Sequence, residues 1–313
     1  MPNTLIATVT VPATTANIGP GFDCLGAALS LYNRFQFTPL CTENRSKSDR
    51  VIIHASGQGA DQLPTDSRNL VYRAFVAAYQ HFEQTPPDVR IDIHLDIPQA
   101  RGLGSSATAI VAGLLGANEL ANRPLGESEL LQLAIALEGH PDNVVPAMIG
   151  GCCLATQDQS SQQWVICPID WSENIIPIVA IPDFELKTDL ARNVLPKTCS
   201  YEDAIFNAAH VGLLIKGLEQ GKPTLLQTAL QDKLHQPYRQ QLIPGLTEVY
   251  ESALSAGAHG LVISGAGPTL LALSDLHHAD KIAKAIQLRW QETGIAAKIS
   301  ILNIDKQGAT VHS

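Results

Sequence analysis

Positive charge is scarce in this sequence and is spread along its length. Among 313 residues, Lys and Arg number 21 against 30 Asp and Glu, so the formal net charge is −9, and no long basic run occurs. A protein that binds nucleic acid or an anionic membrane usually carries a basic patch or stripe. We therefore expect neither as a partner, although a local site of backbone N–H groups or a metal ion can still bind phosphate.

Long apolar runs and early basic residues are also lacking. No run approaches the ~18 apolar residues typical of a membrane span. No basic residue precedes Arg34, so no signal-peptide pattern is found. The six cysteines form no CxxC pair, which predicts free thiols in a reducing compartment, and we expect a cytoplasmic protein. The cysteines are Cys24, Cys41, Cys152, Cys153, Cys167 and Cys199.

Apolar periodicity predicts an α+β fold, and the length favours two domains, at residues 1–171 and 172–313. Pro141 is expected to end the helix before it. The second half suggests a split βαβ arrangement. The predicted strands are 4–11, 91–97, 164–171, 175–182, 259–263, 269–274 and 296–303. The predicted helices are 69–82, 105–122, 127–137, 200–219, 223–232 and 246–256.

A glycine-rich stretch, PQARGLGSSATA at residues 98–109, lies between a predicted strand and a predicted helix. Gly102 and Gly104 allow sharp bends, and the first N–H groups of a helix have no partner within it. This pattern is typical of a phosphate-binding loop, but a plain turn with a serine N-cap fits it equally well. The stretch lacks the GK[ST] of a Walker A loop. It matches GxGxxA, yet no strand ending in an acid follows about 20 residues later, so a dinucleotide site is excluded.

Two more turn-rich stretches flank strands. PATTANIGPGFDCLG at residues 12–26 contains Asn17 and Asp23, and its apolar residues suggest that the loop is packed rather than solvated. Packed polar groups need partners, and a substrate ammonium would suit Asp23. SGAGPTLLAL at residues 264–273 allows close backbone approach. Taken separately, the first stretch can be an ordinary turn and the second a hairpin turn.

In this order, the three stretches resemble the signature motifs of the GHMP kinases, and the resemblance spans residues 12–273. It implies a two-domain GHMP kinase fold. The expected N-terminal ATP-binding domain is ribosomal protein S5 domain 2-like, and the C-terminal domain is ferredoxin-like. Within the superfamily, three further segments resemble the homoserine kinases. They are EGHPDNVVPAMIGG at 138–151, KTDLARNVLP at 187–196 and PYRQQLIPG at 237–245.

This resemblance implies transfer of the γ-phosphoryl group of ATP to the hydroxyl of L-homoserine, giving O-phospho-L-homoserine for threonine biosynthesis. Ser106 and Glu138 match the ligands of Mg²⁺, which prefers oxygen donors. Without the resemblance, Glu138 is an ordinary helix-end acid. Adenine is expected against the helix and loop from Asn69 to Phe75. The residues that match the triphosphate loop are Pro98, Gln99, Ala100, Arg101, Gly102, Leu103, Gly104, Ser105, Ser106, Ala107 and Thr108.

The resemblance also implies a site for the charged groups of an amino acid. Arg192 and Arg239 match the arginines that face its carboxylate. Arginine can bind a carboxylate through two parallel N–H bonds. Asp23, Asn17 and His140 match residues around the amino-acid head. Judged singly, the arginines are ordinary surface charges and His140 is a turn histidine before proline.

Thr188 and Asn143 match positions near the reacting hydroxyl. Asp142 raises the question of a general base, as in mevalonate kinase. We expect catalysis without a dedicated base, through approximation of the reactants and Mg²⁺.

Two other functions stay open at this point. One is another GHMP small-molecule kinase of the mevalonate-pathway type, and the other is a catalytically silent GHMP-fold sensor. Asp23 together with the arginine-bearing segments favours an amino-acid acceptor, and the presence of Ser106 and Glu138 favours an active kinase. By analogy with the family we expect a homodimer.

Overall fold

A computed structural model describes residues 6–40 and 50–313. None of the helices in these ranges is long and apolar enough to cross a membrane. The predicted strand at 4–11 lies partly outside these residues, and Cys41 lies wholly outside them. The strands are β1 Ala7–Ala16, β2 Leu25–Pro39, β3 Val51–Gly57, β4 Val89–Leu95, β5 Cys152–Gln157, β6 Trp164–Ile169, β7 Ile176–Pro182, β8 Gly260–Ile263, β9 Leu270–Ser274, β10 Ala297–Ile301 and β11 Thr310–His312.

Helices pack against both sheets, and those of the second sheet lie on both of its faces. Short 3₁₀ turns occur at Ala60–Gln62 and Gln240–Leu242. The helices are α1 Leu70–His81, α2 Ser105–Leu120, α3 Glu127–Glu138, α4 Pro141–Ile149, α5 Thr188–Asn193, α6 Tyr201–Gln220, α7 Pro223–Ala229, α8 Gln236–Arg239, α9 Leu246–Ala256 and α10 Leu276–Glu292.

The first sheet and its helices form the N-terminal core. Within the described ranges it has seven strands in the order β11-β1-β2-β4-β3, with β5 paired to β2 and β6 paired to β5. Alternation along the strands buries Val9, Val11, Phe35 and Phe37 in the core that α1 and α2 complete. Gly116 lets α2 approach β2, because a Cβ there would lie 2.4 Å from the Phe37 ring.

The second sheet is antiparallel, in the order β10-β7-β9-β8. Along the chain, β7 leads through helices to the β8–β9 hairpin, and α10 then leads to β10. This is the split βαβ arrangement of a ferredoxin-like domain, as expected. Ile282, Ile286 and Trp290 of α10 pack on the sheet with Val249 of α9.

The last strand returns to the first sheet, where β11 pairs with β1 from Thr8↔His312 to Thr10↔Thr310. On the way, the chain passes very close to the end of α4. A Cβ on Gly308 would lie 2.4 Å from both the Gly150 nitrogen and the Met148 oxygen. The division into residues 1–171 and 172–313 stays a prediction, and the C-terminal segment contacts both parts of it.

The structure agrees with the predicted helices at 69–82, 105–122 and 127–137. Helix α3 ends at Glu138 with Gly139 as its left-handed C-cap, and Pro141 instead begins α4, because proline lacks the N–H that is unpaired in a first helical turn anyway. The sequence analysis therefore missed α4. It also missed α10, although Ala279, Ile282, Ile286 and Trp290 recur at helical spacing there.

Candidate active site

The three signature stretches meet between the two sheets. The Thr14 N–H donates to Leu103 O at 3.1 Å, which joins the first stretch to the glycine-rich one. The Ser264 hydroxyl donates to Gly102 O at 2.7 Å, and the Thr269 N–H donates to Arg101 O at 3.2 Å. The structure thus brings segments about 90 and 160 residues apart in sequence into one hydrogen-bonded cluster.

The two glycines of the middle stretch are required by this packing. Gly102 and Gly104 have φ values of 77° and 68°, in the left-handed region that favours glycine. A Cβ on Gly102 would lie 2.3 Å from Ser264 O, and one on Gly104 would lie 1.9 Å from Thr14 Oγ1. The groups that approach the backbone most closely at these two glycines therefore belong to the other two signature stretches.

Helix α2 begins at the edge of a cavity of about 640 Å³. Its N-cap is Gly104, which offers no side chain to the first N–H groups of the helix, so an anion could accept from them. The predicted site residues that line the cavity are Asn17, Asp23, Gln99, Ala100, Arg101, Gly102, Gly104, Ser105, Ser106, Thr108, Glu138, His140, Asp142, Asn143, Thr188, Arg192 and Arg239.

Four predicted cofactor residues do not line this cavity. Leu103 and Ala107 are each buried in a hydrophobic core. Pro98 lines a separate cavity of about 310 Å³. Asn69 caps α1, since its Oδ1 accepts from the Val71 N–H at 2.9 Å and its amide donates to Pro64 O. These side chains shape the loop and the adjoining helix, and the predicted roles of the four residues toward a ligand stay predictions.

Ser106 and Glu138 face each other from the start of α2 and the end of α3. The Ser106 hydroxyl donates to Glu138 Oε2 at 2.8 Å. Burial raises the pKa of Glu138 above its ordinary value, and the Ser106 hydrogen bond and nearby His140 offset this only in part. A hydroxyl and a carboxylate held together at a helix N-terminus are an oxygen-only donor pair that suits a hard divalent cation.

Further charged side chains cluster in the same cavity, near enough for Arg192 to affect the pKa of Glu138. Arg192 binds Asp23 through two N–H donors, with Nη1 at 2.9 Å from Oδ2 and Nη2 at 3.0 Å from Oδ1. Asn17 fixes the loop beneath them, because its Oδ1 accepts from the Asp23 N–H and its amide donates to Gly265 O. Both Asn17 and Asp23 have positive φ values, of 70° and 56°, so the loop is held in an uncommon conformation.

Helix α4 brings further polar groups to this cluster. His140 Nδ1 lies 2.5 Å from Asp142 Oδ1, and Asn143 accepts from the Thr14 hydroxyl at 2.7 Å. Burial pushes the pKa of His140 down, but the hydrogen bond and charge of Asp142 and the nearby carboxylates outweigh it. The pKa of His140 therefore lies above its ordinary value. Asp23, His140 and Asp142 each offer one atom that could bind a metal ion, and these three atoms lie within 4.8 Å of one another.

Arg239 is a buried cation that lines the cavity with only 2% of its surface exposed. Its Nε donates to Ala191 O at 3.0 Å and its Nη1 donates to Gly265 O at 3.1 Å. Burial, and then the charge of Arg192, lower the pKa of Arg239 to about 10. The guanidinium nevertheless stays charged at neutral pH.

Comparison with known proteins bears on this arrangement. Residues 69–151 match the family described as GHMP kinases N terminal domain, and residues 214–292 match GHMP kinases C terminal. The homoserine kinase of Microchaete diplosiphon is 58% identical over 303 residues, which are 97% of this chain and 96% of the relative. The homoserine kinase of a Synechococcus strain is 55% identical over 97% of each chain.

The chain belongs to the GHMP kinase family. Solved structures agree with this assignment. The homoserine kinase from Cytophaga hutchinsonii superposes with a TM-score of 0.87 at 30% identity and covers 100% of this chain and 99% of its own. The mevalonate kinase of L. major, solved with R-mevalonate, has a TM-score of 0.71 at 17% identity over 94% of each chain, a likeness of fold alone. The predicted family and fold are confirmed.

Sequence reasoning missed part of the wall of this GHMP kinase cavity. Leu63, Pro64 and Arg68 line it from the loop before α1, and Asp189 lines it beside the predicted Thr188. The only sequence signal near the loop is its position just before Asn69, which was predicted to lie near adenine. Gly265 and Ala266 also line the cavity, and they belong to the third signature stretch.

Proposed function

We propose that this GHMP kinase transfers the γ-phosphoryl group of ATP to the side-chain hydroxyl of L-homoserine, giving O-phospho-L-homoserine. One observation carries the proposal. A single cavity joins the N-terminus of α2, which suits a triphosphate, to a cluster of both signs of charge at Asp23, Arg192 and Arg239, which suits a zwitterion. The relatives that match nearly the whole chain are named homoserine kinases.

The triphosphate is expected at the bend of residues 102–106. Two features support this position. The first turn of α2 has no side-chain cap, so its N–H groups and the positive end of the helix dipole are available to phosphate oxygens. Adenine would then lie toward the cavity wall formed by Leu63, Pro64, Leu70 and Val71, which is apolar enough to accept a base.

Ser106 and Glu138 would hold Mg²⁺ in this proposal. The donor set fits, because both groups offer oxygen and the half-buried carboxylate is hydrogen-bonded to Ser106 at the helix N-terminus. The pKa of Glu138 stays raised in spite of the nearby charges of His140 and Arg192, and a divalent ion would further stabilise its ionised form. When bound, the ion supplies positive charge against the transferring phosphoryl group.

The amino-acid head is expected between Asp23 and the two arginines. Asp23 would pair with the substrate ammonium, while Arg192 and Arg239 would face its carboxylate, with Asn17 and His140 beside them. Without substrate, Arg192 and Asp23 bind each other directly. When a zwitterion binds, Asp23 could pair with its ammonium and Arg192 with its carboxylate instead.

Thr188 and Asn143 would lie near the reacting hydroxyl. The Asn143 carbonyl is already held by Thr14, and Asp142 is held by His140, so both side chains are oriented before a substrate binds. Asp142 Oδ1 is already hydrogen-bonded to His140 Nδ1 and is not free to take the proton of the hydroxyl. This supports transfer by approximation and charge neutralisation without a dedicated base.

A coupled ADP-release assay tests the substrate directly. L-homoserine, mevalonate, galactose and shikimate would each be offered with ATP and Mg²⁺, and an EDTA-treated reaction serves as the control. Homoserine alone should give turnover, and chelation should abolish it. Turnover of mevalonate in preference to homoserine would establish the mevalonate-type alternative, and tight ATP binding without turnover of any acceptor would favour the silent sensor.

Two further expectations belong to the proposal. The described cysteines Cys24, Cys152, Cys153, Cys167 and Cys199 are free thiols, which supports a reducing, cytoplasmic location. A homodimer is supported by the apolar exposed face of α6, where Tyr201 is 91% and Ile205 is 68% exposed. Sedimentation at micromolar concentration would test it, with Ile205→Glu as the disrupting variant.

A further inference from the structure

His235 is a completely buried histidine that does not line the cavity. It precedes α8 and reaches back to the first signature stretch, where its Nε2 lies 2.8 Å from Gly19 O. A carbonyl oxygen can only accept, so Nε2 carries the proton. The ring therefore donates to the loop that contains Asn17 and Asp23.

The other ring nitrogen faces the buried arginine. His235 Nδ1 lies 3.3 Å from Arg239 Nη1. A guanidinium can only donate, so Nδ1 must accept, and the ring is neutral with its proton on Nε2. Burial, together with the charge of Arg239, lowers the pKa of His235 in spite of the nearby Asp232, which agrees with this protonation state.

Surrounding groups leave this ring little freedom. Phe22 stacks on it with ring centroids 5.1 Å apart, and the Arg239 guanidinium lies 5.1 Å from the centre of the same Phe22 ring. Asp232 accepts from the backbone N–H groups of His235 and Gln236 at 2.9 and 2.7 Å, and from the Asn207 amide at 2.7 Å. The ring is therefore a fixed acceptor for Arg239.

The acceptors of Arg239 share one property. Ala191 O, Gly265 O and His235 Nδ1 are all neutral, so they set the plane of the guanidinium without cancelling its charge. Its Nη2 has no hydrogen-bond partner among residues 6–40 and 50–313. A carboxylate in place of any of the three would instead hold the cation as an internal ion pair.

We propose that His235 is a positioning residue that orients the charged Arg239 guanidinium toward the carboxylate of the amino-acid substrate. The proposal rests on the proposed function. It adds that this specific ring nitrogen, Nδ1, is needed, and that the contribution is to substrate binding rather than to phosphoryl transfer.

Three substitutions separate the two nitrogens. His235→Asn can place an oxygen near the Nδ1 position and keep an acceptor for Arg239. His235→Gln reaches the Nε2 position and keeps the donor to Gly19 O. His235→Phe keeps the ring stacked on Phe22 and removes both polar contacts.

For L-homoserine, KM should rise about tenfold or more in the Gln and Phe variants and stay within about threefold of the parent in the Asn variant. In all three, kcat and the KM for ATP should change less than about threefold. A purely structural role for the ring predicts that Phe, the closest isostere, is the mildest change. The proposal would be overturned if the KM for L-homoserine rose least in the Phe variant, or if kcat fell equally in all three variants.

Two measurements keep the inference independent of folding and of the proposed function. Nitrogen-15 NMR of the parent at pH 7 should show a neutral Nε2–H tautomer for His235, and a cationic ring or the Nδ1–H tautomer would contradict it. His259→Phe is the matched control, since His259 is also buried but lies outside the cavity. If the parent does not phosphorylate homoserine, the proposed function is wrong, but the NMR spectrum still shows which tautomer His235 adopts.

Discussion

The two ends of the cavity present different chemical groups. The end at α2 consists of one continuous stretch, residues 98–108, with the N–H groups that begin α2, and of the half-buried carboxylate of Glu138. The other end consists of charged side chains, Asp23, Arg192 and Arg239, from three distant segments. In the proposed function, the first end would bind the nucleoside triphosphate and the second would select the acceptor. Substitutions at the two ends should therefore change different kinetic constants.

The largest effect is expected at the α2 end. Glu138→Ala should lower kcat by about 100-fold or more, which corresponds to about 2.7 kcal/mol, because the carboxylate that would hold Mg²⁺ is lost. Steady-state kinetics at saturating homoserine and ATP measures this. The control is Glu127→Ala, at the exposed start of α3, the helix that ends at Glu138, and it should leave kcat unchanged. A loss of less than threefold for Glu138→Ala would remove this residue from the metal site.

At the charged end, Arg192→Ala should raise the KM for homoserine strongly, about 10- to 100-fold, and leave the KM for ATP nearly unchanged. Arg239→Lys should do the same, because a lysine cannot reproduce the planar set of donors. Arg289→Ala on the exposed face of α10 is the matched control. An unchanged homoserine KM for Arg192→Ala would show that the charged cluster does not select the acceptor there.

The residues between the two ends should have intermediate effects. Asp142→Asn and Asn143→Ala should each slow turnover by about tenfold without abolishing it, since they orient groups and do not accept the proton. The measurement is kcat together with ATP affinity by titration calorimetry. If Asp142→Asn lost all activity while ATP still bound, catalysis would require a general base. The cavity would then contain a third, catalytic region between its two ends.

The smallest effect concerns stability at the charged end. Because the pKa of His140 is raised in the folded protein, its ion pair with Asp142 stabilises the fold fully below the unfolded-state pKa. This contribution is lost as the pH rises through the folded-state pKa. His140→Gln should thus lower the free energy of unfolding by about 1–2 kcal/mol near pH 5.5 and by less at pH 9. Urea unfolding at both pH values tests it, and an equal loss at both would exclude the ion pair.

The same contrast explains what could be predicted from the sequence. The loop at residues 98–108 is contiguous, and glycines before a helix carry their own physical reason, so its place between β4 and α2 was predictable. The wall at Leu63, Pro64 and Arg68 was not, because no periodicity or charge pattern marks those residues.

The charged cluster lies between these cases. Its members were predicted through the family resemblance, but their mutual contacts depend on tertiary structure. The two-donor pairing of Arg192 with Asp23 joins residues 169 positions apart, and the burial of Arg239 depends on α5, α8 and the third signature stretch together. His235 gave no signal at all, because a histidine before a short helix is unremarkable until Gly19 and Arg239 are seen on either side of its ring.

A crystal structure with a non-hydrolysable ATP analogue and Mg²⁺ tests the central claim most directly. Triphosphate oxygens should lie against the amides of residues 102–106, with the metal bound between Ser106 and Glu138. Density for the triphosphate elsewhere in the protein, with this bend free of ligand, would contradict it.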